Sequence, residues 1–438
     1  MSNPLVNWWR SRQFNAALKQ GNERQAKQLL QEIENSGTKL SRLEQLFRKK
    51  LQSEQSLSIY KRDLASLSGR LKLALQTIEE LEQKQKFYKN DNLLVPNADF
   101  VQFIRRSFNF IEHDEHKLQC TGIEHRIFDN FEANLADFLQ TELEKQPKDV
   151  LDSELYNAIK DIEGLKRGID PEYGFKLSPH VYLMKYFLGN VYCAYIAWFL
   201  VYQAGLIPQN IKILDIAAGP GTVAYGLALL LQSNSGFFTM PQMHISYYSL
   251  EKQPLLQYRG LQFWRQYIEP KQTATNAYFR FDTADIFDEH RTYQKLPKAF
   301  FDFIVISHCF FYEPQQRIDS HAIYRKIFQS NLATGGYVLL IVQGKKLFDA
   351  YKVRQTEDIS QEQKIIQMFS EELGLRLEWY KYLTSTDKRT SMGGSEFSKF
   401  ARDNLPQQKY MSPLKNQYLR QKFVSNYVID DYVILAKR

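Results

Sequence analysis

Residues 212–227, KILDIAAGPGTVAYGL, run an apolar stretch into two glycines two positions apart and then into a second apolar stretch. Apolar residues without alternation mark a strand buried on both faces, as in a parallel sheet covered by helices. The same texture continues to the end of the chain. Strands are predicted at IKILDIA, HISYYSLE, AYFRFDTAD, FDFIVISH, YVLLIVQG, LRLEWYKYL and DDYVILAKR, with helices at AYGLALLLQ, LLQYRGLQFWRQYI, HAIYRKIFQSNL and QKIIQMFSEELG. This alternation predicts an α/β, Rossmann-like, seven-stranded domain over 208–438. The last two strands have no full helix between them and read as an antiparallel edge hairpin.

A glycine turn at a strand end holds a nucleotide-like ligand against a helix N-terminus. Gly219-Pro220-Gly221-Thr222-Val223-Ala224 fits the dinucleotide pattern G-x-G-x-x-A. Charge argues for another ligand. A pyrophosphate disfavours a carboxylate beside the turn, yet Asp215 stands four residues before the first glycine. Glu251 ends the second strand, where a carboxylate accepts from two ribose hydroxyls, in a dinucleotide site as well as in one for S-adenosylmethionine. Asp285 follows the third, placed to accept from an adenine amino group, with Asp282 as its rival. Acids at three successive strand ends suit S-adenosylmethionine, which carries an ammonium and a sulfonium and no phosphate.

The segment from about 205 to 438 resembles a class I S-adenosylmethionine-dependent methyltransferase domain. Asp215, Gly219 and Gly221 match that family's first motif, with Ala217 where many members have glycine, and Glu251 matches the acid ending strand two. FFDFIVISHCFFYEP resembles the strand-four motif and brings Ser307 to the cofactor, while NLATGGYVLLI resembles the strand-five motif. The resemblance implies the cofactor S-adenosylmethionine, held by Asp215, Ala217, Gly219, Gly221, Glu251, Asp285 and Ser307. YLMKYFLGNVYCAYIAWFLV and GGYVLLIVQGKKLFDAYKVRQ bear a faint similarity to the small-ribosomal-subunit methyltransferase-like family.

Methyl transfer is an in-line displacement, so alignment and acceptor deprotonation do most of the work. His308 is the candidate base, alongside a second reading as a backbone-bonded positioning histidine. Tyr312 and Phe311 are candidate walls of the methyl site, with packing under the following helix as the alternative. An N/D-P-P-Y/F sequence is absent, which argues against adenine-N6, cytosine-N4 and glutamine acceptors. Cys309 follows a histidine rather than a proline and reads as a packed cysteine. Residues 384–426 form a basic insertion interleaved with aromatics, which suits RNA or a ribosomal particle; a lid closing over the substrate is the alternative. The other functions consistent with the sequence are a non-catalytic assembly or scaffold factor, a small-molecule O- or N-methyltransferase and, more remotely, an NAD-dependent oxidoreductase.

Residues 1–95 read as a helical arm and 96–207 as a helical domain before the catalytic fold. FNAALKQGNERQAKQLLQEIENSG predicts two helices around a Gly-Asn turn, with Ala17, Leu18, Ala26, Leu29, Leu30 and Ile33 on the apolar face. Heptad spacing over 43–81 predicts a coiled coil or helical hairpin that serves self-association or a protein partner. The uncharged run 191–207 reads as a buried helix rather than a membrane span. His113 and His116 stand beside three acids at a spacing that fits no zinc pattern, and no metal site is expected. The three cysteines form no CxxC, and the N-terminus has no secretory pattern, so a cytoplasmic setting is expected.

Overall fold

The computed structural model describes residues 4–37, 39–53, 93–167, 171–271, 275–288, 295–311 and 313–438. Its contacts divide the chain into two units, Met1–Asn90 and Asp91–Arg438.

In the first unit, α1 (Pro4–Lys19) and α2 (Glu23–Asn35) pack around the predicted turn. Gly21 takes φ 71°, and the Asn22 side chain accepts from the Gln25 N–H at 3.2 Å, capping α2. Phe14, Ala17, Ala26, Leu29, Leu30 and Ile33 form a small core with Phe47, which comes from a third helical stretch over 42–53. The rings of Phe14 and Phe47 meet edge-on at 5.5 Å. Most of the predicted heptad segment lies outside the described residues. Of its first positions, Leu43 and Leu46 are exposed.

The second unit is built on one nine-stranded sheet rather than seven. Its elements begin with α3 (Ala98–Ser107), β1 (Phe110–Glu112), β2 (Lys117–Cys120), α4 (His125–Glu144), α5 (Lys148–Glu163), α6 (Ser178–Tyr182) and a π-helical turn, Leu183–Phe187. α7 (Leu188–Gln203), β3 (Asn210–Ile216), α8 (Thr222–Ser233), β4 (Met243–Glu251), α9 (Pro254–Tyr267) and β5 (Thr275–Thr283) follow. The chain then forms β6 (Phe301–Ser307), α10 (Pro314–Asn331), β7 (Leu332–Gln343), α11 (Gly344–Ala350), α12 (Ile359–Glu372), β8 (Arg376–Thr384), α13 (Gly394–Asn404), α14 (Met411–Leu419) and β9 (Asp430–Lys437).

The spatial order is β1-β2-β8-β9-β7-β6-β3-β4-β5. β7, β6, β3, β4 and β5 are parallel, and β9 runs antiparallel between β7 and β8. β8 and β9 are therefore paired as expected but are not an edge hairpin: α13 and α14 separate them in sequence, and β2 covers the end of β8. The two additional strands come from FNFIEHDEHKLQC. Strands of three and four residues are too short to establish a period against the surrounding helical pattern. His113 bonds Gln119 at 2.8 Å, and His116 stacks on Tyr380 at 4.2 Å, so both histidines serve this hairpin.

Residues 96–207, expected as a separate helical domain, do not form their own core. Phe128, Leu135, Val181 and Trp198 belong to the same buried cluster as Ile213, Tyr247 and Val433 from the sheet. α7 is the uncharged run, and it is buried on every side because it packs between the sheet and other helices. Its aromatic tips are satisfied: Trp198 Nε1–H donates to Val223 O at 3.1 Å, and the Tyr195 hydroxyl donates to Ser233 Oγ at 2.8 Å. Among the described residues, no helix is long and apolar enough to cross a membrane.

Candidate cofactor and acceptor site

β3 has β4 on one side and β6 on the other, so successive crossovers leave it in opposite directions and open a crevice at its C-terminal end. In register, Ile216 pairs with both Leu250 and Ile306, which sets residues 217–221 level with Glu251 and with Ser307-His308. The turn leaves β3 through three left-handed residues: Ala217 at φ 55°, Gly219 at φ 56° and Gly221 at φ 84°. Only glycine takes this conformation freely, so Ala217 is strained by about 1 kcal/mol or more. The turn is held from behind by α9, where a Cβ on Gly260 would sit 2.0 Å from the Pro220 carbonyl oxygen.

Glu251 secures the turn as well as ending β4. Its Oε2 accepts from the Gly219 N–H at 2.7 Å, and its Oε1 accepts from the Gln253 N–H at 2.8 Å. Two lone pairs per oxygen leave it capacity for further donors. Asp285 lies beyond the end of β5, 3.3 Å from Lys252 Nζ, and accepts from the Phe287 N–H at 3.0 Å. Asp282 instead sits within the strand opposite Leu250, which leaves Asp285 as the acid past the strand end.

Asp215 is placed differently. It is 1% exposed beneath the turn, and the Tyr247 hydroxyl donates to its Oδ2. Its Oδ1 is buried without a hydrogen-bond partner. Burial pushes its pKa up to about 8, with the Glu251 charge adding to the rise and the Tyr247 bond opposing it. Asp215 is therefore a protonated support near neutral pH, and the negative charge of the crevice comes from Glu251 and Asp285.

On the other side, β6 ends at Ser307, and His308 follows at φ 58°, a conformation rare outside glycine. Its Nε2 lies 3.1 Å from Asp431 Oδ1, and its Nδ1 lies 2.9 Å from Ser307 Oγ. With Nε2–H donating to the carboxylate, Nδ1 is left as the acceptor for the serine hydroxyl. Cys193 of α7 completes a cluster in which the sulfur, imidazole and carboxylate atoms lie within 4.8 Å of one another. Burial and the Asp431 charge hold the Cys193 thiol well above its usual pKa, so it stays protonated. Lys346 lies in the same neighbourhood, its pKa lowered by burial.

Tyr182, at the end of α6, feels the charges of both Glu251 and Cys309, which add to burial in raising its pKa. Asn190 Nδ2 donates to the Tyr182 hydroxyl at 3.3 Å. The π-helical turn that follows Tyr182 is a feature concentrated at functional sites. Sequence reasoning missed Tyr247, which reaches Asp215 from within β4, and Asp431, which reaches His308 from β9. Tyr312 lies outside the described residues. Cys309 is half-buried, and its carbonyl accepts from the Tyr324 hydroxyl at 3.4 Å, a packing role.

In the basic insertion, Arg389 and Lys415 are turned inward. Arg389 pairs with Glu362 and Asp114, each at 2.9 Å, and Lys415 donates to Gln408 at 2.7 Å. Lys388, Lys399, Arg402, Lys409, Arg420 and Lys422 remain on the surface, with Lys409 3.3 Å from Asp129. A cavity of about 960 Å³ runs along β8 between His116, Gln367 and Tyr380, and none of the candidate residues lines it.

No family description matches the chain, and no curated protein matches it. Among solved structures, it is similar to a SAM-dependent methyltransferase from Methanosarcina mazei (13% identity, 54% of this chain and 96% of that one, TM-score 0.30). It is also similar to a TehB-like SAM-dependent methyltransferase from Corynebacterium glutamicum (11%, 65% and 98%, TM-score 0.27). A third similar structure is the plantazolicin methyltransferase BpumL in complex with a pentazolic desmethylPZN analog and SAH (11%, 72% and 100%, TM-score 0.30).

Proposed function

We propose that residues 91–438 form an S-adenosylmethionine-dependent methyltransferase. The observation that carries this reading is the row formed by the glycine turn, Glu251 and Asp285 at the adjacent ends of β3, β4 and β5, beside the point where the strand order reverses. The donor set fits the cofactor. Two carboxylates at the rim suit hydroxyl, amino and cationic groups, and nothing stands within 4 Å of where a Cβ on Gly221 would be. In this reading Glu251 binds the ribose, Asp285 the adenine side, and the backbone at Ala217, Gly219 and Gly221 lines the floor. Ser307 faces the cofactor from β6, and Asp215 supports the floor from below. When bound, the cofactor supplies an electrophilic methyl group.

The chain's own contribution to chemistry is proton removal. Ser307, His308 and Asp431 form a relay: an acceptor O–H or N–H gives its proton to Ser307 Oγ as the serine proton moves to His308 Nδ1. Asp431 balances the imidazolium through Nε2–H. Two acceptor classes have separate support. RNA is favoured by the exposed insertion cations together with exposed Tyr410 and Phe423. A small O- or N-nucleophile is favoured by the sheltered setting of the relay, in which the His308 and Asp431 side chains are 21% and 11% exposed.

Transfer of a tritiated methyl group into cell-extract fractions of RNA, protein and small molecules tests both parts. Label in one fraction, lost with His308→Ala and sharply reduced with Asp431→Asn, supports the reading. Undiminished label with His308→Ala refutes the relay, and absence of label in every fraction refutes turnover.

A further inference from the structure

The chain's net charge of +8 is unevenly distributed. Residues 1–90 contain 17 Lys and Arg against 9 Asp and Glu, while residues 91–438 contain 40 of each. The whole excess therefore belongs to the N-terminal unit. Within its described part, the acids are all engaged. Glu23, Glu32 and Glu34 pair with Lys50, Arg10 and Arg48, and Glu44 is buried, accepting from Ser11 and Ser41. Arg12, Lys19, Arg24, Lys27, Arg42 and Lys49 are exposed without an acidic partner among the described residues.

α1 adds a second feature. Phe14 and Ala17 turn one face of it into the unit's core, and the opposite face mixes polar residues with exposed indoles. Trp8 is 59% exposed and Trp9 57%, and neither ring packs on another aromatic among the described residues. At about 100° per residue, Trp8, Arg12 and Lys19 fall within roughly 40° of one another, and both tryptophans lie about 120–140° from Phe14. Arg12 lies 5.5 Å from the centre of the Trp8 ring. The outward face of α1 is thus a convex strip of two indoles and of cations with no acidic partner among the described residues.

We propose that this strip docks the N-terminal unit onto an anionic lipid bilayer surface. Indoles with a polar edge settle at the headgroup level, and neighbouring cations meet the negative surface. A convex helix face presents this chemistry to a plane. Single-stranded nucleic acid binders instead use a concave basic groove in which bases stack, and α1 offers none. The docking is independent of the methyltransferase reading, since no residue of the crevice takes part.

The test is co-sedimentation of the full chain with vesicles of phosphatidylcholine alone and of equal parts phosphatidylcholine and phosphatidylglycerol, with tryptophan emission recorded on the same samples. Binding is expected only to the anionic vesicles, with a blue shift in emission. Trp8→Ser with Trp9→Ser removes the shift and weakens binding roughly tenfold, and Arg12→Glu weakens it by a similar factor. Circular dichroism checks that these surface variants keep their helices. Absence of binding to anionic vesicles overturns the proposal, as does binding that the tryptophan variants leave unchanged. It is equally overturned if the strip's variants abolish binding to a single-stranded RNA homopolymer while vesicle binding is absent.

Discussion

The protonated Asp215 makes a prediction that does not depend on knowing the acceptor. Its pKa rises from 3.8 to about 8 on folding because the carboxyl is buried. Between those values the native state holds a proton that the unfolded chain has released, so its contribution to stability falls as pH rises. One such group changes stability by about 1.4 kcal/mol per pH unit, so a rise of about two units inside the window costs roughly 3 kcal/mol. Asp215→Asn has nothing to ionise and keeps a carbonyl that accepts from the Tyr247 hydroxyl. Urea denaturation of both proteins across this range should show the variant gaining on the wild type as pH rises, by roughly that slope. Other buried groups also titrate: Asp430 is pushed up to about 6, and His180 and His321 are lowered to about 3 and about 4, all mainly by burial. They are common to both proteins and cancel in the difference. Parallel stability curves for the two proteins would refute a protonated Asp215.

Ala217→Gly should stabilise the protein by about 1 kcal/mol in the same assay, because it relieves left-handed strain without removing a contact; destabilisation would contradict that placement. Gly260→Ala drives a methyl into the Pro220 carbonyl, so it should lose about 2 kcal/mol or more and displace the turn, read as reduced stability together with lost cofactor binding by calorimetry. Arg389→Met leaves Glu362 buried with only the Tyr380 and Tyr432 hydroxyls as donors, and a loss of about 3–5 kcal/mol is expected; a neutral result would contradict the buried pairing.

The parallel sheet and its glycine turn were legible because strands buried on both faces carry long apolar runs and because Gly219 and Gly221 break one of them in a chemically specific way. Glu251 and Asp285 were legible as acids at strand ends. The fate of Asp215 was not, since its charge state is set by burial in the folded sheet, against the opposing hydrogen bond from Tyr247 midway along the next strand. The hairpin in FNFIEHDEHKLQC was hidden by its brevity. The middle helices read as a separate domain because nothing in their sequence says that their apolar faces meet the sheet rather than each other. Likewise Arg389 reads as a surface cation until Asp114 and Glu362 are brought to it by the fold, and the Ser307-His308-Asp431 relay becomes visible only when β9 inserts between β7 and β8.

The central claim is that the crevice at the end of β3 holds a phosphate-free methyl donor. Calorimetric titration of the full chain with S-adenosylmethionine should give saturable heat that disappears in Gly219→Arg, whose side chain would fill the turn. A folded protein that gives no heat with this ligand, or that saturates with NAD instead, contradicts the claim.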